Sequence, residues 1–484
     1  MSNTGTSALT TRAPIQWPAI LQLVFSTLAA VLLLGTAVII VIVNLVQYLT
    51  PGSARTDLTQ TFMVAASLAF AGVLVIPSAW FSWKSISSTE TGAQPAAERR
   101  GFGLILTIIV VVFVPGALLL GNWAAQNTRV DWLLLPPLNI LATGLPALWL
   151  VYLGTHGLPL GTFRRRWGVF ASGLVLGPLI IIILELLALV GMGILAILWL
   201  MINPNTSSQL SNLVIHLENS SGNPDAILRI MLPYLLNPGL LLIVFAFISV
   251  IVPLIEETLK PLGVWFLAGQ KLSPAQGFVY GVLSGAGFGL FENLGNTSNG
   301  GEAWALLASS RISTLLLHCF TAGMVGWALV SAWSQRRYLR LGISYILAVL
   351  IHGLWNGMAV LSAVSTLQGL SNVSIPTSLQ RIGSLSTWGI VALGAIVLVL
   401  YIGFNAALRR SLPAMPPPTA GESRTPDRLG NEDPSILAAQ TGSPSSEPGP
   451  SSPSQGGEGP QSSEITSQDH PIKGNPSSTT EPNL

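Results

Sequence analysis

Apolar runs about twenty residues long alternate along this chain with short polar breaks, and a run of that length crosses the hydrocarbon core of a bilayer as a helix. Such runs fall near 18–48, 61–83, 102–123, 132–154, 167–202, 239–268, 275–297, 303–333, 341–363 and 384–407. The pattern predicts an all-α polytopic transmembrane helix bundle of about ten spans. The first run, 17–49, far exceeds the roughly 7–15 residues of a signal peptide's apolar core and reads as an uncleaved span. The run 239–268 contains Pro253 and Pro261 and is expected to kink. After Arg410 the pattern stops. The segment 411–484 is rich in Pro, Ser and Gly, cannot bury enough apolar surface to fold, and reads as a disordered cytoplasmic tail.

The chain divides into four regions: an N-terminal transmembrane region of about five spans (1–202), an extracytoplasmic loop (203–238), a transmembrane bundle of about five spans (239–410) and the tail (411–484). Within the loop, "DAILRIMLPYLL" has the character of an interfacial amphipathic helix.

Charge fixes the orientation. Arg12, Lys84, Arg99, Arg100, Arg164, Arg165, Arg166, Lys271, Arg336, Arg337, Arg340, Arg409 and Arg410 fall on one side of a ten-span arrangement; Arg55, Arg129, Arg229 and Arg381 fall on the other. Basic loops stay inside, which predicts a multi-pass protein of the cell membrane with both termini cytoplasmic. Splitting 167–202 into two spans would break this alternation, so it reads as one. Charged residues make up 9% of the chain against about 25% in soluble domains, which supports the lipid bilayer as its solvent. The net charge of +2 suggests no nucleic-acid partner. Cys319 is the lone cysteine and reads as packing, so there is no disulfide framework.

Ionisable residues within spans are expensive and default to functional candidates. They crowd into four consecutive spans: Glu256, Glu257 and Lys260 in "EETLK", Glu292 in "GFGLFEN", Arg311 and His318 in "RISTLLLHCF", and His352 with Asn356 in "HGLWN". Spacings of three, four and seven put partners on one helix face. Glu185, alone in "IIIILELLALV", reads as structural or interfacial. Phe288 reads as packing near the site, and the glycines of "GVLSGAGFG" as sites of close helix approach. Straight helices would hold Glu256 and Glu292 at different depths; a kink at Pro253 or Pro261 is expected to bring them together.

A carboxylate beside water can act as general base and a histidine can relay its proton. Asn and His can donate to an oxyanion, while Lys260 and Arg311 can keep carboxylates ionised. These are the parts for hydrolysing an amide. There is no Gly-x-Ser-x-Gly elbow and no P-loop. Two alternatives remain open: Glu256, Glu292, His318 and His352 as zinc ligands, although no HExxH is present, or buried Glu, His and Lys as the proton relay of a membrane transporter.

"EETLK" at 256–260 resembles the EExxK motif of the PrsW family of intramembrane proteases, itself similar to the CAAX prenyl protease and bacteriocin-immunity superfamily. "GFGLFEN" at 287–293 is similar to its FxxxE motif, "HCFTAGMVG" at 318–326 to its third, and "HGLWN" at 352–356 to HxxxN. The resemblance covers roughly 250–360 and implies a glutamate-dependent intramembrane endopeptidase without metal or cofactor. It implies Glu256 as the base on water, Glu257 as its assistant and Lys260 as the group that fixes their charge. Glu292 belongs to the catalytic set, His318 and His352 position water or substrate, and Asn356 donates to the oxyanion. The implied partner is a membrane-anchored protein, an anti-sigma factor in the family's namesake or another single-span protein. The five N-terminal spans and the tail depart from the family's compact form.

Overall fold

Helices make up nearly all of the described chain, and no strand occurs among the described residues. The computed structural model describes residues 16–50, 57–87, 101–202, 204–219, 226–227, 230, 238–298, 301–366 and 377–412. The tail from residue 413 and most of the stretch 225–236 lie outside the described residues.

The N-terminal spans are α1 (Trp17–Leu49), α2 (Leu58–Ser87), α3 (Phe102–Ala125) and α4 (Asp131–Thr155). The fifth is one crossing, as the charge alternation required. It consists of α5 (Phe163–Ala171), a π-helical turn Ser172–Leu176 and α6 (Gly177–Ile202). A further helix, α7 (Pro204–Glu218), occupies the start of the region expected to be a loop. The sixth crossing combines α8 (Pro238–Ala246), a second π-helical turn Phe247–Ile251, α9 (Val252–Leu259) and the single turn α10 (Leu262–Trp265). Then come α11 (Pro274–Thr297), α12 (Trp304–Gln335), α13 (Tyr338–Thr366) and α14 (Thr377–Arg410).

Among the described residues, nine helices are long and apolar enough to cross a membrane. The tenth expected span, α11, has the length but not the hydropathy, because "GVLSGAGFG" is built from small residues. It does not need the hydropathy. Its neighbours bury it from Phe278 to Leu290, so its solvent is protein rather than lipid. Its start is sharply defined: Ser273 accepts from the Gln276 amide, Gln276 returns a bond to the Ser273 amide, and Pro274 sits where no amide is needed.

The two π-helical turns share a cause. In each, an amide reaches five residues back, Gly177 to the Ser172 carbonyl and Val252 to the Phe247 carbonyl. The next residue is Pro178 in one and Pro253 in the other. Proline has no amide to continue the ladder, and the chain absorbs the gap by widening one turn. Both widened turns border the site. Gly173 lies against the Ser284 carbonyl of α11, and Gly353 of α13 lies against the Ser249 carbonyl.

The N-terminal spans pack into the same core as the later ones. Trp304 of α12 fits into the space beside Gly121 of α3 and donates to Asn139 of α4 at 3.2 Å. Tyr401 and Asn405 of α14 donate to the Leu150 and Gly154 carbonyls of α4, each at 2.8 Å.

Candidate active site

Four helices converge on the polar residues. Helix α9 ends one turn after it has delivered Glu256 and Glu257, because Pro261 cannot extend it. The Lys260 Nζ stands 2.8 Å from Glu257 Oε1 and 2.9 Å from Glu256 Oε2. Its side chain and that of Glu257 are wholly buried. A buried ammonium is tolerable only when paired on this scale. The Lys260 carbonyl accepts a short hydrogen bond from Ser284 Oγ, which ties the end of α9 to α11.

His352 comes from α13. Its Nδ1 lies 2.9 Å from Glu257 Oε1 and 3.2 Å from Lys260 Nζ, and its Nε2 lies 3.8 Å from Glu256 Oε2. Donation of Nδ1–H to Glu257 leaves the Nε2 lone pair on the Glu256 side. His318 comes from α12. Its Nε2 is 2.7 Å from Glu292 Oε2, and its Nδ1 is buried with no hydrogen-bond partner. The two imidazoles meet edge to face with centroids 5.5 Å apart. Phe288 packs on His318 at 5.1 Å and lies 5.0 Å from Lys260 Nζ, so it walls the site.

Glycines let the histidines come this close. A Cβ at Gly285 of α11 would collide with the His318 carbonyl, and one at Gly289 would lie 3.0 Å from His318 Cδ2. A backbone with no side chains at these positions is what brings α12 onto α11.

Glu292 is held from its other side by Arg311 Nη2 at 2.7 Å. Arg311 Nε donates to Asn293 Oδ1 at 2.9 Å, and Asn293 Nδ2 donates back to the Arg311 carbonyl at 3.0 Å. Nothing in the motifs gave Asn293 a role; its position next to Glu292, with the side chain on another helix face, was the available signal.

The expected depth gap between Glu256 and Glu292 is closed by one imidazole. Glu292 touches His318, and Glu256, His318 and His352 each offer a ligand atom within 4.8 Å of the others. Of the four residues considered as zinc ligands, Glu292 stands behind His318 instead of beside the other three. Asn356 sits on the face of His352, and its Nδ2 donates to the Ile248 carbonyl at 3.1 Å. That carbonyl belongs to the π-helical turn interrupted by Pro253, so Asn356 docks α13 onto the widened turn. Tyr345 adds a second tie, donating to the Leu254 carbonyl at 2.9 Å.

Sequence alone left Glu185 outside the site. Helix α6 packs against α9, Glu256 is a neighbour of its carboxyl, and one of its oxygens is buried without a partner. The signal was its isolation: a carboxyl in an apolar run with no partner on its own helix must find one on another.

The three groups fit a divalent cation. Two imidazoles and a carboxylate are a common zinc donor set, and the orphaned His318 Nδ1 is a buried nitrogen that an ion would satisfy.

Residues 166–379 match the family model described as PrsW family intramembrane metalloprotease. The match begins upstream of the motif region and takes in the crossing that carries Glu185. No curated protein and no solved structure matches the chain.

Proposed function

Residues 166–379 belong to the PrsW family of intramembrane proteases, and on that premise we propose that peptide-bond hydrolysis takes place at Glu256, His318 and His352, with these three holding a divalent metal ion. The substrate is a membrane protein; we assign a membrane-anchored single-span protein, of which an anti-sigma factor would be one, cut within or beside the bilayer. The transporter alternative gives way to the protease family.

One observation carries the metal reading. Each imidazole has a carboxylate behind it, Glu257 on His352 at 2.9 Å and Glu292 on His318 at 2.7 Å. A carboxylate behind a histidine fixes its tautomer and makes the opposite nitrogen a better ligand. When bound, a divalent cation supplies Lewis-acid polarisation of a carbonyl and makes water more acidic.

The chain's own groups do the rest. Glu257, itself paired with Lys260, holds His352 in one orientation from its Nδ1 side. Arg311 and Asn293 hold Glu292, and Glu292 holds His318. Asn356 positions α13, and with it His352, through the Ile248 carbonyl; donation to an oxyanion would compete with that bond, so we assign it a positioning role.

A second reading has an observation of its own. Lys260 Nζ lies 2.9 Å from Glu256 Oε2, a partner for that carboxyl that needs no metal. Glu256 would then take a proton from water, the oxygen would attack the scissile carbonyl carbon, and the proton would pass to the leaving nitrogen.

Metal analysis of the purified protein, with cleavage in liposomes of a panel of single-span peptides, separates the two. The metal reading expects about one divalent ion per chain, lost in His318→Ala and His352→Ala, and cleavage stopped by a chelator and restored by added metal. Cleavage indifferent to chelator but absent in Glu256→Gln would establish the metal-free glutamate mechanism instead. In either case the termini should be reached only by cytoplasmic-side labelling reagents.

A further inference from the structure

The site has an open-sided wall. Helix α6 turns Leu179, Ile182, Leu186, Leu187, Ile194 and Leu195 outward. Glu185 is the lone ionisable residue of α6; that helix packs against α9 and α11, one Glu185 carboxyl oxygen is buried without a partner, and its charged neighbours are Glu256, Glu292 and Lys260. One turn to either side on its own helix stand Ile181, Ile182, Ala188 and Leu189, none of which can pair with it. A carboxyl in a membrane helix is costly to bury, and the charged neighbours of Glu185 all lie in the reaction cluster.

We infer that Glu185 is a positioning residue of the reaction centre, which orients the Glu256 carboxylate between His318 and His352 and strengthens its hold on a divalent cation. The inference rests on the metal-site reading above and adds the α6 wall to it. A purely structural Glu185 would let Glu185→Leu bind zinc and cleave as wild type does, because leucine suits a lipid-facing helix better than glutamate does.

The test compares Glu185→Leu and Glu185→Gln with wild type in the full chain. Zinc ions alone are titrated against a competing fluorescent chelator, and cleavage is followed on a self-quenched single-span peptide that wild type cuts. Glu185→Leu is expected to melt at the wild-type temperature or above it. It should bind zinc about 10–100-fold more weakly, as loss of an outer-shell partner does, and lose roughly ten-fold or more in kcat with little change in KM. Glu185→Gln keeps a hydrogen-bonding amide against Glu256 and should recover most of kcat. Wild-type zinc affinity and kcat in Glu185→Leu overturn the inference, as does a loss that tracks a lowered melting temperature. If wild type takes up no zinc, the metal reading fails by itself, and the split between kcat and KM still decides the role of Glu185.

Discussion

Helices α1 and α12 are nearly equal in length and both are apolar enough to cross a bilayer, yet they live in different solvents. In the most apolar stretch of Trp17–Leu49, 17% of residues are buried inside the protein; in Gly301–Gln335 the figure is 94%. The first helix has no ionisable residue apart from Tyr48 near its end, whereas the second carries Arg311 and His318. A helix that faces lipid must satisfy every polar group by itself. One surrounded by protein can carry groups that neighbours satisfy: Glu292 for both Arg311 and His318. Chemistry therefore collects where lipid is excluded, and small residues do the excluding. Gly277, Gly281, Gly285 and Gly289 of α11 lie against α12, with no room for a side chain.

The largest break in this contrast should come at the site. Glu256→Gln, His318→Ala and His352→Ala are each expected to lower kcat for a single-span peptide by about 10²–10⁴-fold, the range for a group that handles the proton or the ion. Melting temperatures in detergent should show that the bundle persists.

Packing comes next. Gly285→Val forces a side chain into the His318 backbone and should destabilise the protein by roughly 1–3 kcal/mol or more through overpacking. Gly191→Val on α6 meets nothing within 4 Å and should stay within about 0.5 kcal/mol. Equal effects in thermal unfolding would abolish the distinction between protein-facing and lipid-facing helices.

Asn356→Leu leaves the Ile248 carbonyl without its donor, an expected loss of roughly 1–3 kcal/mol, with weaker cleavage because His352 is carried on the same helix. Full activity with unchanged stability would contradict the docking role. The smallest effect belongs to the outer surface: Leu28→Ala on α1 should leave cleavage unchanged.

Much of this was legible along the chain. Apolar length marked nine spans among the described residues, and the basic residues kept 167–202 as one span despite its length. Helical spacing put Glu256 and Glu257 within reach of Lys260, and both ion pairs are present. Phe288 walls the site, as its place beside the motif suggested. Other features were not legible. HxxxN says only that His352 and Asn356 share a face; the donation of Asn356 Nδ2 to the Ile248 carbonyl on another helix could not be read from it. Glu185 looked solitary because its charged neighbour Glu256 lies on α9, in the next crossing and 71 residues on.

Which runs are long and apolar enough to cross a bilayer, which helix faces are polar, and which residue types are available for hydrolysis were legible along the chain itself. These are local properties, set by the apolar length of a run and the 3.6-residue period of a helix. Packing in three dimensions decided which nitrogen of each imidazole is occupied, which carboxylate stands behind which histidine, and that α6 adds a fourth carboxyl. Those choices depend on contacts such as Lys260 with His352, 92 residues apart. A contact of that span exists only once glycine-lined helices have packed to within side-chain reach of one another.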